Sequence, residues 1–287
     1  MRYSVQKDTI LFVGNHFYSK YSNPNVWHSL VFRLRESGWN VITTSKHRQK
    51  ILRLADMVWT IISKRKFYQV AEVDVFSGPS FIWAEICVTL LKWLDKTVIL
   101  TLHGGNLPNF ANKHPKRVEN LLASADKVTA PSAYLKKKLK EYRDDIQVVP
   151  NPIDLDAFHF RKRSKLKPKL VWVRSFHEIY NPSLAPEVLK FLISLHPDTE
   201  LKMIGPDKRD GSLERMRRIA KTYKLDDHII CTGGISKDNV PEYLEEADIF
   251  INTTNVDNTP SSLIEAMASG LCIVYTNVGG IPFLFGR

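Results

Sequence analysis

Two carboxylates eight positions apart, Asp257 and Glu265, lie in the stretch of this chain that offers most chemistry, NTTNVDNTPSSLIEAMASGLCIVYTNVGG (252–280). The sequence predicts a helix capped by Asn258 or Thr259, with Pro260 at its first position and Gly270 just past its end. At 100° per residue, Leu263, Ile264, Met267 and Ala268 form an apolar stripe. Glu265 falls outside that stripe, on the flank of Ser261 and Ser269. The free amides at the helix start, those of Ser261 and Ser262, favour an anion. The stretch thus offers acceptors for hydroxyl groups beside donors for a phosphate. Taken alone, a glutamate off the apolar stripe reads as a solvated residue.

Two further residues sit where strands should end. Arg174 follows the apolar run LVWV (170–173) and carries a guanidinium able to grip a phosphate group bidentately, or else to pair with nearby Glu178. His103 follows TVILTL (97–102) and precedes Gly104-Gly105, a position from which an imidazole can reach a ligand. No Cys, His and Asp group has metal-ligand spacing, and no D-x-D pair lies near a strand end, so the chemistry is expected to need no metal and no cofactor. G-x-G-x-x-G and G-x(4)-G-K-[ST] are both absent, which argues against a nicotinamide dehydrogenase and the common NTPase loop.

The elements that must position these residues alternate. Strands are expected at 9–13, 40–44, 73–76, 97–102, 127–130 and 146–149, with helices at 24–37, 47–63, 79–94 and 131–142 between them. After PNPIDLDAF (150–158) the run RKRSKLKPK (161–169) is too polar to pack and reads as a linker. A second series follows, with strands 170–173, 201–204, 229–231, 248–252 and 271–275 and helices near 183–195, 212–224 and 238–246. The fold class is α/β: two Rossmann-like, doubly wound domains, 1–160 and 161–287, facing a cleft, with ligands at the C-terminal strand edges.

Length and composition agree with two domains. The chain has 287 residues, 44% hydrophobic and 25% charged, and a formal net charge of +11. Residues 1–160 hold 23 Lys and Arg against 14 Asp and Glu, so the first half carries most of that charge. An anionic partner is implied, either a membrane surface or an acidic acceptor. No nucleic-acid-binding signature accompanies the charge. The helix at 79–94 is apolar around most of its circumference, as for a buried helix or one laid on a membrane through Trp83 and Trp93. Nothing approaches the about 20 apolar residues of a membrane span. The N-terminal apolar run is too short for a secretory signal, so a cytoplasmic protein, free or peripheral at the inner face of the membrane, is expected. The three cysteines read as buried thiols.

Four segments together resemble the retaining glycosyltransferases of family 4, which have the GT-B fold. PNPIDLDAF resembles the link before their second domain, with Pro152 in place of a glycine. LVWVRSFHEIYNP resembles the strand and loop carrying a phosphate-binding arginine, and KMIGPD the strand ending in a glycine, here Gly205. ADIFINTTNVDNTPSSLIEAMASGLCIVYTNVGG resembles the donor site, whose signature is E-x(7)-E followed by a GG turn; here Asp257 takes the first acid's place. The resemblance implies transfer of a sugar from a nucleotide-sugar donor to a glycan or lipid-linked acceptor, with retention and without a metal. It implies catalytic roles for His103, Arg174 and Asp257, and donor binding by Glu265, Ser261, Ser262, Leu263, Gly205, Gly279 and Gly280. A lysine that many relatives carry five or six residues after the arginine is replaced by Ile179 or Tyr180, so a second phosphate cation is missing or comes from elsewhere. Relatives continue for another strand and several helices, so the second domain reads as incomplete and its last sheet edge as uncovered. The alternatives are an impaired GT-B remnant that only binds and, more weakly, a sugar-nucleotide epimerase.

Overall fold

A computed structural model describes residues 9–14, 26–45, 47 and 49–286. The start of the helix expected at 24–37 lies outside these. The described residues up to Pro152 form one compact unit and those from Ile153 onward another.

The first unit runs β1 (Thr9–Val13), α1 (Val26–Glu36), β2 (Asn40–Thr44), α2 (Lys50–Ser63), β3 (Val70–Val75), α3 (Phe81–Trp93), β4 (Thr97–Leu102), α4 (Leu107–Lys113), α5 (Pro115–Ser124), β5 (Lys127–Ala130), α6 (Ala133–Leu139) and β6 (Gln147–Val148). All strands pair in parallel in the order β2-β1-β3-β4-β5-β6. Side chains alternate across β3. Ala71, Val73 and Val75 enter the core with Met57, Ile61, Phe81 and Leu91, while Glu72 and Asp74 point to the opposite face. The chain steps from β1 outward to β2 and then back past β1 to β3, so the ends of β1 and β3 diverge there.

The second unit runs β7 (Lys169–Val173), α7 (Leu184–Leu195), β8 (Glu200–Ile204), α8 (Ser212–Thr222), β9 (Ile229–Gly233), α9 (Val240–Glu246), β10 (Ile249–Asn252), α10 (Ser261–Ala268) and β11 (Cys272–Tyr275). Its parallel order is β11-β10-β7-β8-β9. Successive strands move one way to β9, and β10 then returns to the far side of β7. The reversal lies between β7 and β10, whose central positions Val171, Trp172, Phe250 and Ile251 are buried. β11 is an edge strand with Val274 exposed, and Tyr275 stacks on Phe285 at a centroid distance of 4.7 Å.

The polar run 161–169 does pack, contrary to its sequence reading as a linker. Arg161 Nη2 donates to Asp248 Oδ1 at 2.6 Å and Arg163 Nε at 3.1 Å, while the Lys167 amide donates to Asp248 Oδ2 at 2.7 Å. Arg163 also bonds the carbonyls of Leu244, Ala247 and Ser269, and its side chain is only 2% exposed. A guanidinium's five donors match the carbonyls left open at the ends of α9 and α10, which a composition count cannot register. The two units accordingly separate at Pro152, ahead of this run rather than within it. Of the cysteines, Cys87 is buried as expected but Cys272 is exposed.

Burial raises the Asp248 carboxyl, but the hydrogen bonds of Lys167, Arg161 and Arg163 outweigh it and hold the group below its ordinary 3.8. A depressed folded value stabilises above the ordinary carboxylate range, and that stability is lost as pH falls through the folded value. Arg163→Met leaves a buried carboxylate short of its partner and is expected to cost about 3–5 kcal/mol. Urea unfolding at neutral pH measures the loss, and the deficit should narrow in acid as Asp248 protonates.

Candidate functional site

The second unit gathers its polar groups where β7 and β10 diverge. Trp172, buried in β7, donates its indole N–H to Thr253 Oγ1 at 2.9 Å, and that hydroxyl donates to the Tyr180 carbonyl at 2.9 Å. Thr254 Oγ1 meets the Ile179 carbonyl at 3.1 Å, and the Asn255 amide donates to the same oxygen at 2.9 Å. The loop after β10 is thereby fastened to the turn after β7. This brings Arg174 and Asp257 into a largely buried ion pair, Nη2 to Oδ2, with the guanidinium over the Tyr180 ring at 4.8 Å. Arg174 therefore does not take Glu178, the alternative its sequence offered; Glu178 pairs with Arg215 at 3.1 Å. Arg174 Nε is buried without a hydrogen-bond partner.

Two glycines fix this pairing through close backbone approach. A Cβ on Gly205 would stand 1.7 Å from the Arg174 carbonyl oxygen, and φ there is +153°. A Cβ on Gly279 would stand 1.9 Å from the Asp257 carbonyl oxygen, to which the Gly280 amide donates at 3.1 Å. The GG turn thus seats the Asp257 loop.

α10 corrects several expectations. Pro260 occupies the cap position itself, with no side-chain cap bond, so neither Asn258 nor Thr259 caps the helix. The buried face is Ser262, Leu263, Glu265, Ala266 and Ser269, and Met267 is exposed. The periodicity found an apolar stripe, but β10 and β11 cover the helix from the other flank, and only tertiary packing sets that rotation. Glu265 is 5% exposed, not solvated. Burial raises its carboxyl above the ordinary range, with Lys237 and Arg174 opposing. Lys237 Nζ lies 3.9 Å from Glu265 Oε1, a cation that the sequence did not single out because it comes from the turn before α9. The Leu263 amide donates to the Pro260 carbonyl at 3.1 Å, which leaves the amides of Ser261 and Ser262 for a ligand. Ser262 Oγ is buried and unpartnered. Orphaned donors at Arg174 and Ser262, a helix start and a second cation make a group suited to an anion, with Glu265 as a hydroxyl acceptor.

The first unit holds a second group where β3 lies beside β4, with Asp74 also close against Gly14 at the end of β1. His103 Nε2 lies 2.5 Å from Asp74 Oδ1, and its ring stacks on Phe76 at 4.9 Å. Glu72, Asp74 and His103 bring ligand-type atoms within 4.8 Å of one another. The sequence expectation of no metal-competent cluster is corrected here, since Glu72-Val73-Asp74 is separated from His103 by an entire crossover and meets it only through the pairing of β3 with β4. Burial first, and the nearby Asp74 second, raise the Glu72 carboxyl well above the ordinary range, against a Thr101 hydrogen bond that lowers it. Beside this group lies a cavity of about 430 Å³ whose lining includes Gly14, Arg53, Asp74, Phe76, Ser77 and Trp83. Arg53 lies under the influence of burial, which lowers its pKa, and sits over the Trp83 ring at 5.4 Å.

Two α/β units, each built on a parallel sheet, are the architecture of the GT-B class. Solved structures share it: sucrose-phosphate synthase from Thermosynechococcus elongatus superposes with a TM-score of 0.77 at 15% identity over 96% of this chain and 83% of its own. The Anabaena protein HepE, in complex with UDP and glucose, gives 0.73 at 13% identity over 95% and 82%. The family model of glycosyltransferase family 4 matches residues 18–157, and that of glycosyl transferases group 1 matches 156–286. The chain belongs to this glycosyltransferase family. A Bacillus subtilis protein named as a teichuronic acid biosynthesis glycosyltransferase is 26% identical over 84% of this chain and 62% of its own length. The N-acetyl-alpha-D-glucosaminyl L-malate synthase of Bacillus anthracis is 26% identical over 69% and 55%. The chain thus spans less than two thirds of either curated relative.

Gly205→Ala is expected to destabilise the second unit by at least about 1–3 kcal/mol, because backbone rather than a flexible side chain blocks the new methyl. Thermal unfolding of the variant beside Gly211→Ala, where a Cβ meets nothing within 4 Å but φ is also positive at +82°, separates collision from backbone strain.

Proposed function

We propose that the protein transfers a sugar from a nucleotide-diphosphate donor to a glycan or lipid-linked acceptor, with retention of configuration and without a metal ion. The observation that carries this reading is the unpartnered, buried Nε of Arg174, a residue paired with Asp257 in the loop before α10 and near enough to act on Glu265 within it. Arg174 and Lys237 neutralise the diphosphate as the bond to the anomeric carbon breaks, and the Ser261 and Ser262 amides take its oxygens. Glu265 accepts the ribose hydroxyls. Asp257 orients Arg174 and keeps lone pairs for hydroxyls of the donor sugar, while Gly205, Gly279 and Gly280 hold the backbone that carries them. His103, held by Asp74, is assigned to the donor sugar, and the cavity beside Asp74 to the acceptor. The metal-capable trio of Glu72, Asp74 and His103 already shares an internal hydrogen bond, which favours a proton over a metal there.

A thermal-shift panel of UDP-, GDP-, dTDP- and ADP-sugars should show stabilisation by one nucleotide class, undiminished by a chelator. Arg174→Ala should lower turnover by roughly 10²–10³-fold, the scale for losing one preorganised charge donor. Donor binding without turnover by the wild type would point to the binding-protein alternative instead.

The raised carboxyl of Glu265 gives a pH test. Hydroxyl recognition needs the ionised form, so donor KM should rise as pH falls through a value above the ordinary carboxylate range. Glu265→Gln should raise KM at neutral pH and flatten that limb; a wild-type profile unchanged by the substitution would remove Glu265 from the site.

A further inference from the structure

The outer surfaces of α2 and α3 are apolar where a surface helix is normally charged. On α2 the exposed stripe is Ile51, Ala55, Trp59 and Ile62, spaced by three or four residues, with Ile51 83% and Trp59 70% exposed. On α3 it is Ile82, Ile86 and Trp93, the last 79% exposed, and Phe67 after α2 adds a third exposed ring. These are not core positions, since Met57, Ile61, Ala84, Val88 and Leu91 already fill the inner faces. The crossovers β2 to β3 and β3 to β4 run in the same direction across the sheet, so a single hand of connection puts α2 and α3 on one face, where they pack together. The two stripes therefore belong to one side of the first unit. The helix that sequence read as either buried or membrane-facing has one buried face and one exposed apolar face, with Trp93 outward and Trp83 lining the cavity.

Exposed cations surround this surface: Lys50 at the start of α2, and Lys64, Arg65 and Lys66 at its end. Lys64 lies over the Phe67 ring at 5.6 Å and Lys96 over Tyr68 at 5.2 Å. Of the neighbouring carboxylates, Glu85 is taken by Arg117 and Asp126 by Lys92, leaving Asp56 and Asp95 as the acids closest in sequence to the stripes. We propose that the α2–α3 surface docks on an anionic lipid bilayer, with Trp59, Trp93 and Phe67 in the headgroup region and the Lys64–Lys66 cluster against the lipid charge. Aromatic rings with an apolar body, aliphatic side chains and flanking lysines are the chemistry of an interfacial surface. A second copy of the chain fits less well, because a two-fold contact through the same patch would set cation against cation. For the transferase reading, on which only this clause rests, docking sets the cavity lined by the same two helices beside the headgroups and favours a lipid-linked acceptor.

Co-sedimentation of the full chain with phosphatidylcholine vesicles, with and without phosphatidylglycerol, tests the proposal without any donor or acceptor. Binding is expected only to the anionic vesicles, weakening as salt rises. Trp59→Ser combined with Trp93→Ser should reduce it by about tenfold or more, and Lys64→Glu with Lys66→Glu should abolish the preference for phosphatidylglycerol. Both pairs are exposed, so unchanged thermal unfolding certifies the variants, and either pair suffices if the other misfolds. Equal binding to both vesicle types, no binding by the wild type, or full binding by both folded variants overturns the proposal. So does sedimentation showing a dimer that the tryptophan variant dissolves while vesicle binding is absent.

Discussion

The reversal of strand order between β7 and β10 is the constraint on which the second unit's chemistry depends. Neighbouring parallel strands whose connections leave in opposite directions cannot cover the gap at their C-terminal ends, and polar groups can stand there with access to a ligand. Arg174 at the end of β7 and the loop after β10 meet in that gap. Everything else seats them: Trp172 and the threonines tie loop to turn, Gly205 lets β8 lie against the Arg174 carbonyl, and the GG turn closes on Asp257. The cost of burying a guanidinium and two carboxylates is met by pairing Arg174 with Asp257 and by setting Lys237 near Glu265.

The first unit gathers polar groups of its own on β3 and at the end of β4, with different chemistry. There the groups are two carboxylates and an imidazole, and the cavity is lined by aromatic rings and Arg53. One group sets two cations against two carboxylates and offers orphaned donors; the other is acidic and already hydrogen-bonded within itself. That contrast matches the division between a site for a diphosphate and a site for a hydroxylated acceptor in the proposed reaction. The outer face of the first unit adds a third kind of surface, apolar and ringed by lysines, which neither sheet requires for its stability.

Much of the fold was legible because buried parallel strands leave unambiguous runs: TILFV, TVILTL and LVWV each read as strands and pair as such. The fold class and the family were readable for the same reason, since the donor-site segments keep their order and spacing. The site was legible only in part. Arg174, Glu265 and His103 sit in motifs, but Lys237, Glu72 and Asp74 come from positions with no local signature. The polar run 161–169 was misread because composition counts charges without seeing that α9 and α10 present carbonyls to receive them.

Sequence by itself determined which segments become strands, which residues end them and where close glycines are needed, because these follow from local sterics and hydrophobic period. Which flank of α10 is buried, which acid Arg174 takes and what Lys237 approaches were decided only by tertiary structure. Each depends on elements tens of residues apart being brought together by the strand order, and the energy of a buried charge is set by neighbours that no local window contains.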